Sequence, residues 1–291
     1  MKACRILAVV LNLFSISNNN SSGIFHKASK MIWFTIYLCI FTACSSIDQS
    51  KHYGDPVEKP SVILSNVGTL LIYLGKVDLS HNFIGLDTSE NIINKSVFLT
   101  FLSSGGYIPL QLISKDTLRH YRLYKCPAFN EKDPGDQLLK LFLKNYGEAE
   151  YNKYKMKDAP FPAFDFVDLN GNVYNTKNTK GKIIVLKCWF IGCKPCVAEM
   201  PALNEIVKKY ADRKDIVFIS LSFDSEEELK KFLLKTPFSY AVIGGQQYYL
   251  SEILKINSYP THILVNKQGN VVSISNVYDD MFPALKIEAS K

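Results

Sequence analysis

Hydrophobic and polar positions change rhythm along this chain, and the changes divide it. From about Met156 the pattern is regular. Pro162 to Leu169 alternates as a strand does, and Asn170-Gly171 marks a hairpin turn into Asn172-Val-Tyr. Lys182 to Trp189, bounded by Gly181, is a nearly continuous apolar, β-branched run and predicts a buried strand. Behind it Val197, Met200, Leu203, Val207 and Tyr210 recur at helical spacing, which predicts a helix to about Asp212. Asp215 to Ser222 reads as a second buried strand. Ser225-Glu-Glu-Glu228 is a capping box, opening a helix with Leu229, Phe232 and Leu233 on one face. Ser239 to Ile243 predicts a short strand and Tyr248 to Ile256 a short helix. Ser258 to Val265 and Val271 to Ile274 predict a hairpin about Asn266-Lys-Gln-Gly-Asn270, and a final helix starts near Asp280. Strands alternating with helices and closing in a hairpin predict an α/β domain with a mixed sheet over residues 156–291.

Before that the rhythm is shorter. Val62–Leu64, Thr69–Leu74, Val97–Leu102, Tyr107–Ile113 and His120–Tyr124 are strand-like, with turns at Ser103-Ser-Gly-Gly106 and Lys132-Asp-Pro-Gly135. Leu138 to Tyr146 predicts a short helix, and Glu148 to Lys157 a charged linker. Residues 44–155 therefore predict a leash and a small β-rich accessory domain. They contain no repeat and no catalytic constellation.

Residues 1–43 read as an export segment. Met31 to Ala43 is uncharged and apolar, preceded by Lys27 and Lys30. It falls short of the ~20 residues that span a bilayer and fits a secretory signal core. Phe41-Thr-Ala-Cys44 resembles a bacterial lipobox with Phe in place of the usual Leu. That implies cleavage before Cys44, lipidation of its thiol, and a membrane tether continued by the polar stretch Ser45 to His52. A plain N-terminal membrane anchor is the alternative. The apolar run Ile6–Ile16 and the Asn/Ser-rich patch Ser17–Ser22 make an unusually long lead, as if the start lay between about residues 24 and 31. On either reading the thiols face an oxidising compartment, with the protein in the cell envelope and exposed to the periplasm or exterior.

Charge adds little. The 291 residues are 47% hydrophobic, enough for a core, and carry a formal +7. Four of the 34 basic residues (Lys2, Arg5, Lys27, Lys30) precede Cys44 and none of the 27 acids does, leaving 30 against 27 beyond it. Such a balance argues against nucleic acid as a partner.

Candidate chemistry concentrates in Cys193-Lys-Pro-Cys196, where the apolar strand becomes a helix. Unpaired amides and the dipole at a helix N-terminus stabilise an anion, so Cys193 is expected to ionise below the ordinary thiol value of roughly 8.5, with Lys194 adding to the effect. Cys196, one turn in, is the resolving thiol. Zinc is disfavoured because the five histidines are scattered and no second ligand pair exists, so no metal is expected. So short a loop constrains little of the unfolded chain, which argues against a purely structural disulfide. Cys4, Cys39 and Cys44 belong to the export segment; Cys188 reads as a small core residue and Cys126 as an inert thiol.

The ordered set Ala159-Pro-x-Pro-x-Phe, the Asn-Gly hairpin, Gly181-Lys182, Trp189, Cys-x-Pro-Cys, Glu199-x-Pro201, Tyr259-Pro-Thr261 and Asn266-Lys-Gln-Gly269 resembles the thioredoxin superfamily. It is most similar to the membrane-tethered TlpA/ResA-type thiol-disulfide oxidoreductases (AhpC/TSA-redoxin type). The resemblance implies a thioredoxin-like fold, attack by Cys193, resolution by Cys196, and no cofactor beyond that redox-active pair. It implies a cis Pro260 facing the dithiol, with Tyr259's backbone pairing with the substrate, and a helix kink at Pro201. Glu199 is implied as proton acceptor for the buried thiol, with partial burial expected to raise its pKa. Pro195 completes the motif. Implied partners are exported proteins with disulfides or thiols, and a membrane electron donor. Gly192 departs from the commoner Trp. Lys187 stands where thioredoxin proper carries a buried Asp; it is expected either to approach Glu199 or to snorkel to solvent. The alternatives are a thiol peroxidase of the same fold, which Leu186 and Phe190 at its motif positions disfavour, and a surface lipoprotein using the domain as scaffold.

Overall fold

A computed structural model describes residues 53–291, which form one compact unit. Cys44, the export segment and the leash to His52 lie outside the described residues. Among the described residues no helix is long and apolar enough to cross a membrane.

The unit contains two large sheets with separate cores. Ahead of residue 157 lie α1 (Pro60–Ile63), α2 (Val67–Leu74), β1 (Phe83–Leu86), β2 (Ile92–Ile93), α3 (Lys95–Ser103), β3 (Tyr107–Leu112), β4 (Arg119–Lys125) and α4 (Pro134–Met156). The strands run in the order β2-β1-β4-β3, with β1 parallel to β4 and the other pairs antiparallel. Two of the five strand-like runs, from Tyr107 and from His120, are strands. The other three are helices, so the sheet is accompanied by more helix than the sequence suggested. Short apolar runs carry no decisive period, and here the caps settle the matter. Asn66 accepts from Thr69 N at 3.0 Å and Asn94 accepts from Val97 N at 2.9 Å, each satisfying an orphan donor of a first turn.

The expected charged linker over Glu148–Lys157 is also helix. Asp133 caps α4 by accepting from the amides of Gly135 and Asp136, and Pro134 opens it. The helix then continues without interruption to Met156, because its charges form a solvated face while Leu143, Gly147 and Ala149 are buried. Gly147 allows α4 to cross α3 closely: a Cβ there would sit 2.2 Å from the carbonyl of Leu102.

The second part contains β5 (Asp165–Val167) and β6 (Val173–Asn175), joined at Gly171 with φ +83°. Then follow β7 (Ile183–Trp189), α5 (Lys194–Ala198), α6 (Met200–Lys209), β8 (Ile216–Ser222), α7 (Glu226–Leu233) and β9 (Ala241–Ile243). A π-helical turn (Tyr249–Ile253) leads to β10 (Thr261–Val265), β11 (Val271–Ser275) and α8 (Met281–Ala289). The sheet order is β11-β10-β7-β8-β9, with β7, β8 and β9 parallel and β10 and β11 antiparallel to their neighbours. This is the thioredoxin-like arrangement.

Every residue of the central strand β7 is buried, and the two faces divide the work. Ile184, Leu186 and Cys188 enter one core with Ile219, Leu221 and Ile263, while Ile183 and Val185 enter the other with Leu203, Leu264 and Leu285. Lys187 shares that second face by strand alternation. The helix expected to run from the dithiol to Asp212 is interrupted rather than bent. α5 ends at Ala198, and α6 begins at Met200 with Pro201 in its first turn, where a missing N–H costs nothing.

Candidate active site

Strand β7 delivers the chain to the dithiol. Beyond Trp189 it passes through Phe190-Ile-Gly192, and Cys193 caps α5. Cys193 and Cys196 form a disulfide with Cα atoms 5.2 Å apart, and the Cys196 amide donates to Cys193 Sγ at 3.3 Å. Cys196 is fully buried whereas Cys193 keeps 5% of its surface, so an incoming sulfur reaches Cys193 first. Lys194 and Pro195, in the first turn, are exposed. Trp189 is fully buried, its indole 5.7 Å from the ring of Phe232 and 6.1 Å from that of Phe238. Asp224 anchors the loop: its Oδ2 accepts from Ile191 N at 2.8 Å and from Ser222 Oγ at 2.6 Å. Nothing in the local sequence singles out Asp224, which lies 33 residues from Ile191.

The facing loop carries Pro260. The Tyr259–Pro260 peptide is cis, and Pro260 directly precedes β10. Tyr259 packs its ring against Phe190 (5.5 Å) and Phe223 (5.8 Å), which seats this loop against the dithiol loop. Asn276 pins it. Its Nδ2 reaches the carbonyl of Pro260 at 2.5 Å, Thr261 Oγ1 at 2.9 Å and Ser258 Oγ at 3.0 Å. Lys153, from α4, donates to Asn276 Oδ1, so the first part of the chain braces the loop opposite the disulfide. Neither residue is visible as functional in the sequence, because the contact spans 123 positions.

Beneath the disulfide lies a buried polar cluster. Lys187 is fully buried and does not snorkel; its ammonium donates to the Cys196 carbonyl at 3.1 Å and to the carboxylate of Glu199. His262 stands directly across from Lys187 in the β7–β10 register. Its Nε2 lies 3.0 Å from Glu199 Oε1 without the alignment of a hydrogen bond, and its Nδ1 has no partner. Burial by itself would push the Glu199 carboxyl up, as expected from the sequence. The close polar contact with His262, then the hydrogen bond and charge of Lys187, outweigh it, and the pKa is lowered instead. That corrects the expectation of a raised carboxyl: Glu199 is an ionised member of a cluster. Burial pushes Lys187 down and Glu199 pulls it back only in part. Burial likewise lowers His262, against the pull of Glu199, so the imidazole is neutral near pH 7. Sequence reading missed His262 because a lone histidine in a buried strand shows no partner until the strands are paired.

The remaining thiols stand apart. Cys188 is fully buried on the opposite face of β7, and Cys126 is buried in the first part, its thiol pushed up to about 11 by desolvation. Neither is disulfide-bonded.

A mixed five-stranded sheet, a CxxC disulfide at the start of the helix after its central strand, and a cis-proline loop packed against it define a thioredoxin-fold protein with a redox-type dithiol. Comparison narrows this. Residues 158–274 match the AhpC/TSA family model, and this domain is similar to the TlpA/ResA-like branch of the thioredoxin superfamily. The thiol-disulfide oxidoreductase ResA of Bacillus cereus is 33% identical over 112 residues, which are 38% of this chain and 64% of the relative. The thioredoxin-like protein YneN of Bacillus subtilis is 26% identical over 146 residues, 47% of this chain and 85% of the relative. Among solved structures, the thioredoxin domain of a thiol-disulfide oxidoreductase from Bacteroides vulgatus is 27% identical. It covers 45% of this chain and 96% of that one, with a TM-score of 0.41. The chain thus spans less than two thirds of the length of ResA.

Proposed function

We propose that residues 156–291 work as a thiol-disulfide oxidoreductase, reducing disulfides of exported proteins from a membrane-tethered position in the cell envelope. The observation that carries this reading is the Cys193–Cys196 disulfide at the start of α5, with only Cys193 reachable and the Pro260 loop packed beside it. The activity of the ResA relative supports the same chemistry.

In the reduced form Cys193 is the thiolate, favoured by the Cys196 amide that points at its sulfur. It attacks one sulfur of a substrate disulfide; a Cys193–substrate bond forms, the substrate S–S bond breaks, and the first substrate sulfur leaves as a thiolate. The substrate backbone pairs beside Tyr259. Cys196 then gives up its proton and attacks Cys193 Sγ, which releases the second substrate thiolate and forms the intramolecular disulfide. Two electrons have moved to the substrate, whose two sulfurs take up two protons. A membrane electron donor carrying a dithiol returns the pair to the reduced state. The apolar run before Cys44 and the lipobox-like Phe41-Thr-Ala-Cys44 support the tether.

Trapping tests the reading. Cys196→Ala leaves Cys193 unable to be released, so the variant should accumulate mixed disulfides with exported proteins that dithiothreitol dissolves. A variant that accumulates none refutes the oxidoreductase function. Mass spectrometry of the mature N-terminus tests the tether, and an unmodified Cys44 refutes the lipid anchor.

A further inference from the structure

Glu199 alone cannot hold the proton that Cys196 gives up without undoing the cluster. Its Oε1 already pairs with the buried Lys187 ammonium, and protonating the carboxylate would leave that ammonium facing a neutral group with no access to water. A proton placed on His262 has the opposite effect. The imidazolium would lie 3.0 Å from the same carboxylate oxygen, so Glu199 would stand between two cations and stay ionised. His262 is also built to receive one: it is 1% exposed, it stands in register with Lys187, and one of its ring nitrogens, unpartnered Nδ1 or unaligned Nε2, carries a free lone pair when the ring is neutral.

We infer that His262 is a positioning residue for the resolving step, holding through Glu199 the proton that Cys196 releases. This deepens the oxidoreductase reading and rests on it. The proton balance closes within the pocket. Before the step the cluster is Lys187 ammonium, Glu199 carboxylate and neutral His262; after it, the same pair with His262 as imidazolium. The charge lost from the Cys196 thiol reappears as a positive charge one residue pair away, and the proton leaves to solvent when the disulfide has closed. Other titratable groups around the cluster are Tyr240, whose hydroxyl is buried and coupled to Glu199, Tyr278, whose ring lies 6.4 Å from that of His262, and Cys188 beside Lys187 on β7. Burial raises the pKa of both Tyr240 and Cys188, which removes them as acceptors near neutrality. The neutral ground state of His262 is consistent with an acceptor waiting to be filled.

The test reads Cys196 directly. In the full chain carrying Cys193→Ser, the rate of Cys196 alkylation by iodoacetamide is followed against pH by peptide mass spectrometry. With His262 present the profile should show two inflections. His262→Gln should leave one, displaced upward by about one pH unit, so that alkylation at pH 7 slows about tenfold. An unchanged profile in His262→Gln overturns the inference. Should that variant fail to fold, the native protein serves: the midpoint of His262, followed by NMR of ¹³C-labelled histidine, should rise on reduction of the disulfide. Identical midpoints in the two redox states overturn it equally. Neither readout needs a protein substrate. Failure of mixed-disulfide trapping refutes the proposed function, whereas the alkylation profile answers for His262 alone.

Discussion

Lys187→Met isolates the electrostatics under the disulfide. Methionine fits the volume of the lysine stem and keeps its place beside the Phe238 ring, so the change is chiefly one of charge. The Lys187 side chain is fully buried and the Glu199 side chain is only 9% exposed, so the carboxylate left behind is barely hydrated. Breaking a buried pair from one side costs about 3–5 kcal/mol. Here His262, 3.0 Å from the same oxygen, can take up a proton and offset part of the loss, which brings the expectation to about 3 kcal/mol at pH 8. The loss should depend on pH. Without Lys187 the folded-state pKa of Glu199 moves above its unfolded value, so the variant is relatively stable in acid and loses stability as pH rises through the folded pKa. The deficit should therefore shrink to about 1 kcal/mol at pH 5. The second change Glu199→Gln should return most of the loss, since replacing both members of a buried pair is close to neutral. Urea unfolding of the oxidised protein at pH 5 and pH 8 measures both variants against the unmodified chain. For a unit of this size ~3 kcal/mol corresponds to a fall in Tm of about 6–12 °C. A pH-independent loss, or a double variant no more stable than Lys187→Met, would refute a charged pair at this site.

Two further expectations come from the first part of the chain. Gly147→Ala gains about 1 kcal/mol of helix propensity, yet its Cβ would meet backbone atoms of Leu102 and Ser103 at 2.2–2.5 Å, which cannot swing aside. Sterics should win, with a net loss of about 2–3 kcal/mol in urea unfolding; an unchanged midpoint would mean that α3 and α4 do not cross here. For Asp78, burial pushes the carboxyl up, but hydrogen bonds from Ser80 and His81 bring it down to about 2. Its folded pKa is thus below the unfolded value, so it stabilises the protein near neutrality and ceases to do so as pH falls from about 4 to about 2. Asp78→Asn should cost about 1 kcal/mol at pH 7, after discount for partial exposure, and almost nothing near pH 2; equal losses at both would contradict the assignment.

The candidate site was legible where its chemistry is local. Cys193 and Cys196, the strand that carries them, the Asn-Gly turn, the capping box at Ser225 and the proline before β10 are all short-range patterns, and each depends on neighbours within a few positions. Glu199 was legible as a residue but not in its state. Helical spacing put it near Cys196, while the sign of its pKa shift waited on a histidine 63 positions away in sequence. The misread runs failed for a related reason. The six residues Val97–Leu102, five of them apolar, fit either period, and the cap at Asn94 that selects a helix forms one weak signal among many.

Taken alone, the sequence determined that this protein carries a polarised dithiol on an α/β domain, because thiol spacing, strand composition and turn chemistry are properties of contiguous residues. Only the tertiary structure decided what surrounds that dithiol. Pairing β7 with β10 set His262 beside Lys187, the break between α5 and α6 set Glu199 against both, and α4 carried Lys153 to the loop of Pro260. Such contacts depend on which strands become neighbours, and a buried charge has meaning only once its partners are in place.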